Sequence, residues 1–248
     1  MYIISKLIRV SIIFTLINAL MEHTKSLKGL IDHRSDINSL YGENGILNEL
    51  LMRLNLNNGN LIEFGAHTGE EWSNTIHLLK KGWHGLYIEP ERKKLGKLVE
   101  TSKNYPNMRI SDISIITENM KYRYTGLTLD EIIRLFFKDQ DVQLISIDID
   151  SYDYYIFKGL EYRPEVIIIE INAFFPPNVR YIDRQRKDIY GTSHLSMLDM
   201  AAEKDYHLVA CAGCNHFYVR GDIYRQYEPA NPEFDWTLIN KDNFTHIL

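Results

Sequence analysis

Several absences narrow the field before any motif is considered. The 248 residues contain two cysteines, Cys211 and Cys214. Two thiols make no disulfide framework, and one C-x-x-C pair without a second ligand pair makes no zinc site. They read as reduced, structural thiols, with redox chemistry as the alternative. Strong charge of either sign is also missing. There are 28 Lys and Arg against 33 Asp and Glu, a formal net charge of −5, which gives no electrostatic reason to expect nucleic acid. The Lys93-Lys94 pair and the Arg184 to Lys187 cluster are short enough to be solvated faces. No apolar run reaches the roughly 20 residues that a membrane helix needs. There is no internal repeat, no low-complexity tract and no G-x-G-x-x-G dinucleotide fingerprint. With 45% apolar and 25% charged residues, the composition is that of an ordinary soluble domain, and the length suits one domain with a substantial core.

The first 38 residues stand apart. Lys6 and Arg9 precede Val10 to Met21, a mostly apolar run broken by Ser11, Thr15 and Asn18. That outlines a signal peptide or weak anchor, but without a small-x-small cleavage site. The alternative is an amphipathic helix lying on the domain or on a partner, with Ile3, Leu7, Val10, Phe14 and Ile17 on one stripe. Membrane attachment through residues 1–21 stays open, and a cytoplasmic location is favoured over it. Residues 22–38 are polar and are expected to form a loosely held linker, so the domain proper is expected over 39–248.

What is present is organised around Leu61-Ile62-Glu63-Phe64-Gly65-Ala66-His67-Thr68-Gly69. The apolar residues predict a buried strand, the two glycines a turn, and Glu71 to Lys81 a helix with Trp72, Ile76 and Leu79 on one side. Strand, glycine turn and helix bring backbone N–H groups and a helix N-terminus to a ligand; the same arrangement is often only a tight connection. Gly65 and Gly69 can take positive φ or admit a ligand close to the backbone. Glu63 would repel a pyrophosphate and suits a cation such as the amino group of a methionine moiety.

Further strands are expected at Leu86 to Ile88, Met108 to Ile110, Leu144 to Ile147 and Val166 to Ile171. Helices are expected at Ile46 to Leu54, at Glu91 to Ser102 burying Leu95, Leu98 and Val99, from the capping box Thr128-Leu129-Asp130-Glu131 to Lys138, through Phe157, and at Ser193 to Lys204. The alternation means β-α units and a parallel sheet covered on both faces. His207 to Ala210 and His216 to Val219 are joined too closely for a crossover and must form an antiparallel hairpin. The expected fold is α/β, a mostly parallel Rossmann-like sheet with a C-terminal antiparallel hairpin and helices on both faces. That layout resembles class I S-adenosylmethionine-dependent methyltransferases.

In such a sheet the ligand crevice lies at the carboxyl ends of the strands, where Glu63, Glu89, Asp112, Asp148, Asp150, Glu170 and Asn172 all fall. Glu89 can accept both ribose hydroxyls of an adenosine cofactor, or is a solvated loop carboxylate. Asp112 can meet an adenine amino group, or is a cap or turn residue. Strand alternation puts Asp148 and Asp150 on one face, where like charges raise each other's pKa unless compensated. Asp150, Glu170 and Asn172 form an oxygen-only set suited to Mg²⁺ or Mn²⁺, which would hold a substrate hydroxyl and lower its pKa. Alternatively they bind the cofactor and a sugar hydroxyl directly, with no metal. His194 could act as a base or be structural, as could His67. The long insert Ala173 to Gly191, with Phe174-Phe175-Pro176-Pro177, reads as a substrate lid or as a surface for homodimer formation.

Taken in order, the pieces resemble the FkbM-like methyltransferases. They are Ser39 to Gly45 with Ile46-Leu47, Glu63-Phe64-Gly65-Ala66 with Gly69, Ser73-Asn74-Thr75, and Gly82-Trp83-His84-Gly85 before Ile88-Glu89-Pro90. Then come Ser146 to Asp150 with Asp153-Tyr154, Ile169 to Asn172 with Phe175-Pro176-Pro177, and Tyr190 to Ser193. The match spans roughly 39–220. His67 and Ser151 depart from the pattern, and a catalytic His194 is this sequence's own suggestion. The resemblance implies binding of S-adenosylmethionine through Gly65, Gly69 and Glu89, and O-methylation of a hydroxyl, often on a sugar or natural product. The candidate cofactor set is thus Glu63, Gly65, Gly69, Asn74, Glu89, Asp112 and Asp148. The candidate catalytic set is Asp150, Glu170, Asn172 and His194. The expected function is O-methylation of a sugar, glycan or other polyhydroxylated small molecule. Its rivals are a non-catalytic interaction module that keeps the cofactor pocket, and a nicotinamide-dependent oxidoreductase, which would need a better phosphate loop.

Overall fold

In a computed structural model of the chain, residues 26–121, 125–150, 152–183, 191–230 and 232 are described. The expectations for residues 1–21, for Ser151 and for the middle of the 173–191 insert, including Arg184 to Lys187, lie outside the described residues. No helix among the described residues is long and apolar enough to cross a membrane.

Seven strands form one sheet in the order β3-β2-β1-β4-β5-β7-β6. They are β1 (Asn60–Phe64), β2 (His84–Ile88), β3 (Met108–Ser111), β4 (Leu144–Ile147), β5 (Val166–Glu170), β6 (Tyr206–Ala212) and β7 (Asn215–Arg220). β1 to β5 run parallel, and β7 is antiparallel to both β5 and β6. The chain builds outward from β1 through β2 to β3, then returns to lay β4 on the other side of β1. That reversal opens a crevice at the carboxyl ends of β1 and β4.

The helices are α1 (Glu43–Arg53), α2 (Ile76–Leu79), α3 (Arg92–Ser102), α4 (Leu129–Phe137), α5 (Asp153–Gly159), α6 (His194–Glu203) and α7 (Gly221–Tyr224). Two cores result, one on each face. Ile167 and Ile169 of β5 pack with α4, α5 and α6, while Val166 and Ile168 pack with α1, α2 and α3. Continuous apolar strands are therefore split between two covers by the period-2 alternation of side chains. The capping box of α4 forms as expected: Thr128 Oγ1 accepts the Glu131 N–H at 3.3 Å and the Glu131 carboxylate accepts the Thr128 N–H at 2.8 Å.

Three local expectations are corrected. The helix expected from Glu71 begins only at Ile76, because Trp72 takes a left-handed φ of 63° and is 58% exposed. Val99, expected in the core, is 38% exposed, and Leu98 alone of α3 is fully buried. The supposed linker is tied down over its described part. Leu27 and Leu30 are buried in the core, and the Arg53 guanidinium donates to the carbonyls of Ser26 and Lys28 at 3.1 and 2.7 Å. Two leucines in a polar stretch suffice to anchor it.

Burial of this kind predicts that Leu27→Ala lowers the unfolding free energy by about 3 kcal/mol in urea denaturation. A loosely held segment would change it by less than about 0.5 kcal/mol.

Candidate functional site

A cleft of about 350 Å³ opens at the carboxyl ends of β1, β2 and β4. Its walls include Glu63, Gly65, His67, Trp72, Glu89, Lys94, Ser114, Ile115, Asp148, Ile149 and Asp150. The turn after β1 is shaped by chain packing. Gly65 has φ 78°, and a side chain there would strike the Asp148 carbonyl at the end of β4. Gly69 has φ 86° and lies against Leu98 and Thr101 of α3. Both glycines are thus required by the fold itself, apart from any ligand.

Glu63 is buried at the end of β1. Its Oε2 accepts the Thr75 N–H at 3.0 Å and the Ser73 hydroxyl at 2.9 Å, and also the Thr75 hydroxyl. The carboxyl group therefore meets the backbone at the N-cap of α2. Burial pushes it up to about 7, opposed by the Thr75 and Ser73 hydrogen bonds and assisted by Asp148. Glu89, at the end of β2, is also buried. Its Oε2 accepts the His67 N–H at 3.0 Å and its Oε1 the Glu91 N–H at 2.8 Å. Each oxygen keeps a lone pair for a further donor.

Backbone strain gathers at the cleft. Of the six described non-glycine residues with positive φ, three line it: His67 at 48°, Trp72 at 63° and Asp150 at 65°. Such conformations are unfavourable by about 1–3 kcal/mol each and persist where surrounding contacts over-determine them, often at ligand sites. Trp72 stacks on His67 with ring centroids 5.2 Å apart.

Carboxylate oxygens of Asp148, Asp150 and Glu170 lie within 4.8 Å of one another. β4 ends at Ile147, so the left-handed turn at Asp150 brings these side chains together, and strand alternation does not. Burial raises the pKa of Glu170 first, followed by repulsion from Asp148, Asp153 and Asp150. Burial also raises Asp148, with which Glu170 shares a carboxyl–carboxylate hydrogen bond, so the pair retains a proton to higher pH than isolated acids would. Lys94 opposes that rise. Asp153 is pushed up to about 7 by burial and then by Asp148, and its Oδ1 accepts the Ile149 N–H at 2.9 Å.

Other sequence candidates fall elsewhere. Asn172 Oδ1 accepts the Phe174 N–H at 2.8 Å, and among the acids Asp148 joins Asp150 and Glu170. Asn74 is buried and donates to Ser146 Oγ at 3.2 Å, without lining the cleft. Asp112 is exposed; Ser114 and Ile115 form that wall. His194 is buried with its Nδ1 3.0 Å from His216 Nε2, and His216 Nδ1 lies 2.8 Å from the Tyr218 hydroxyl. Burial lowers His194 to about 4, so it is neutral at pH 7 and sits in a structural chain of hydrogen bonds. The residues that sequence reasoning missed are Glu43 and Asp153. Both lay inside stretches quoted for the family resemblance, and nothing local marked either as buried.

No family model matches the chain, and no curated protein matches it. Solved structures do. It is similar to a putative caffeoyl-CoA O-methyltransferase from Staphylococcus aureus, with 12% identity and a TM-score of 0.48 over 84% of this chain and 98% of that one. It is similar to Aeropyrum pernix fibrillarin with natively bound S-adenosyl-L-methionine, with 9% identity and a TM-score of 0.45 over 65% of this chain and 66% of that one. M. capricolum TrmK in complex with S-adenosyl-homocysteine gives 11% identity and a TM-score of 0.39, over 67% and 66%. Identities this low leave residue roles to the geometry above.

Glu63 supplies a test of that geometry. Its folded pKa of about 7 stands above the ordinary 4.5, so the unfolded chain ionises this group first as pH rises. Stability contributed by neutral Glu63 is full below pH 4.5 and is lost as pH climbs to 7. Relative to Glu63→Gln, the native chain should lose unfolding free energy across that window in urea titrations. A difference that stays constant with pH would contradict a buried, protonated carboxyl.

Proposed function

We propose that this chain is an S-adenosylmethionine-dependent methyltransferase that methylates a hydroxyl of a sugar, glycan or other polyhydroxylated small molecule. The observation that carries the proposal is the acidic wall: Glu63, Glu89, Asp148 and Asp150 line one cleft at the switch point of the sheet. The methyl donor brings a sulfonium and an ammonium, and a cleft of negative sign concentrates such a ligand. A dinucleotide brings a pyrophosphate instead. The acidic groups of the wall disfavour it. Glu89, fixed by two backbone N–H groups, has acceptor capacity left for ribose hydroxyls.

The sulfonium is already activated, so the chain's main task is to hold an acceptor hydroxyl in line with the methyl–sulfur bond. Asp150 and the Asp148–Glu170 pair supply the groups that orient this hydroxyl and accept its proton. A carboxyl group with a raised pKa is a better base near neutral pH than an ordinary one. The three carboxylates are also hard oxygen donors that fit Mg²⁺ or Mn²⁺. Asp148, Asp150 and Glu170 would hold such an ion, which would lower the pKa of a bound hydroxyl.

Transfer of tritium from methyl-labelled donor to a panel of sugars and polyols tests the reading. The native chain is expected to label a hydroxyl, and Asp150→Ala to lower the rate about 100-fold. Loss of transfer in EDTA with recovery in Mg²⁺ would support the ion. Donor binding without transfer to any acceptor would replace the enzyme with a non-catalytic binding module.

A further inference from the structure

The carboxylate cluster extends beyond the cleft to the start of α1 and the β6–β7 hairpin. Glu43 is buried there; its Oε2 accepts the Tyr41 N–H at 2.7 Å and its Oε1 accepts Asn215 Nδ2 at 2.9 Å. Asn215 stands directly opposite Glu170 in the β5–β7 ladder, which puts the two side chains side by side on one face. The Asn215 amide is therefore bracketed by Glu43 and Glu170. Its orientation is set by its partners. Reversing it would turn the oxygen onto the Glu43 carboxylate and give up the contact of Nδ2 with Cys214 Sγ at 3.8 Å.

So oriented, Asn215 Oδ1 accepts no hydrogen bond from any described residue, although Asn215 is only 5% exposed. A buried acceptor left unmet calls for an explanation such as a ligand. The carboxyl groups of Glu43 and Glu170 flank it. Burial raises Asp148, Tyr41 and Cys214 first, with smaller contributions from Glu43 to all three and from Glu170 to Tyr41 and Cys214. What this subsite lacks is positive charge delivered with several N–H donors. A protonated primary amine has three donors and no acceptor.

We propose that Asn215 Oδ1, Glu43 and Glu170 form a subsite for the ammonium group of the acceptor, which makes that acceptor an amine-bearing polyol. The assignment rests on the methyltransferase reading and narrows its substrate class. The amine is anchored beside Glu170, and a neighbouring hydroxyl of the same molecule is turned toward Asp150 and the methyl donor. The Cys214 thiol and the Tyr41 ring complete the surroundings. A carbon-borne ammonium is at ease beside sulfur and an aromatic ring, whereas Mg²⁺ demands near-octahedral oxygen ligation and keeps its waters.

Calorimetry on protein saturated with S-adenosylhomocysteine separates the outcomes. The probes are glucosamine against glucose and N-acetylglucosamine, and 2-aminoethanol against ethylene glycol. At least one amine is expected to bind ten times or more tightly than its neutral counterpart. Glu43→Gln and, as a second variant, Asn215→Ser should erase that preference while keeping affinity for S-adenosylhomocysteine within twofold. Failure of every amine to exceed its neutral counterpart overturns the assignment. So does a preference that both variants retain. Saturable Mg²⁺ binding lost in Glu43→Gln, with no amine preference, gives the subsite to a metal instead. Absence of heat with S-adenosylhomocysteine itself sinks the methyltransferase reading and is distinguishable from all of these.

Discussion

The desolvation of carboxyl groups along one rim of the sheet governs the rest of this structure. Glu43, Glu63, Glu89 and Asp153 are each buried, and each finds backbone N–H groups as partners. Glu43 takes Tyr41, Glu63 takes Thr75, Glu89 takes His67 and Glu91, and Asp153 takes Ile149. These bonds set the loops that follow β1, β2 and β4 and the turn that enters α1. Charge-assisted bonds to backbone amides are among the stronger hydrogen bonds available, so the acids organise the rim as well as charging it. Asp148, Asp150 and Glu170 are then gathered in a place where their negative charge is only partly met by Lys94 and by a shared proton.

That excess of negative charge connects fold to function. Repulsion among Asp148, Asp150 and Glu170 is unfavourable, and a cation at this rim would relieve it. The left-handed conformations of His67, Trp72 and Asp150 belong to the same design. Each lies in a loop whose ends are held by a buried acid or a glycine, and each places its side chain on the cleft wall.

Much of this was legible in the amino-acid order. The strands announced themselves as short apolar runs, and the close spacing of β6 and β7 forced a hairpin. Thr128 and Glu131 marked the start of α4 by local chemistry alone. The misreadings share a physical cause. The start of α2 is decided by Glu63, ten residues before Ser73, and no helical periodicity reports that. The burial of Leu27 and Leu30 depends on the core of α1, which periodicity in a polar segment does not reveal. Glu43 meets Asn215 across a separation of 172 residues. His194, at the start of α6, meets His216 of β7, a contact that sequence spacing does not report. The acids at the rim fall together as the strand ends implied, but a turn at Asp150, and not strand alternation, brings Asp148 and Asp150 side by side.

The account stands on the claim that this cleft selects a cation over a phosphate-bearing cofactor. Its most direct measurement is isothermal titration of the full chain with S-adenosylmethionine and, separately, with NAD. Saturable heat with the sulfonium and none with the dinucleotide is the predicted result. No heat with S-adenosylmethionine, or tighter binding of NAD, would contradict the account.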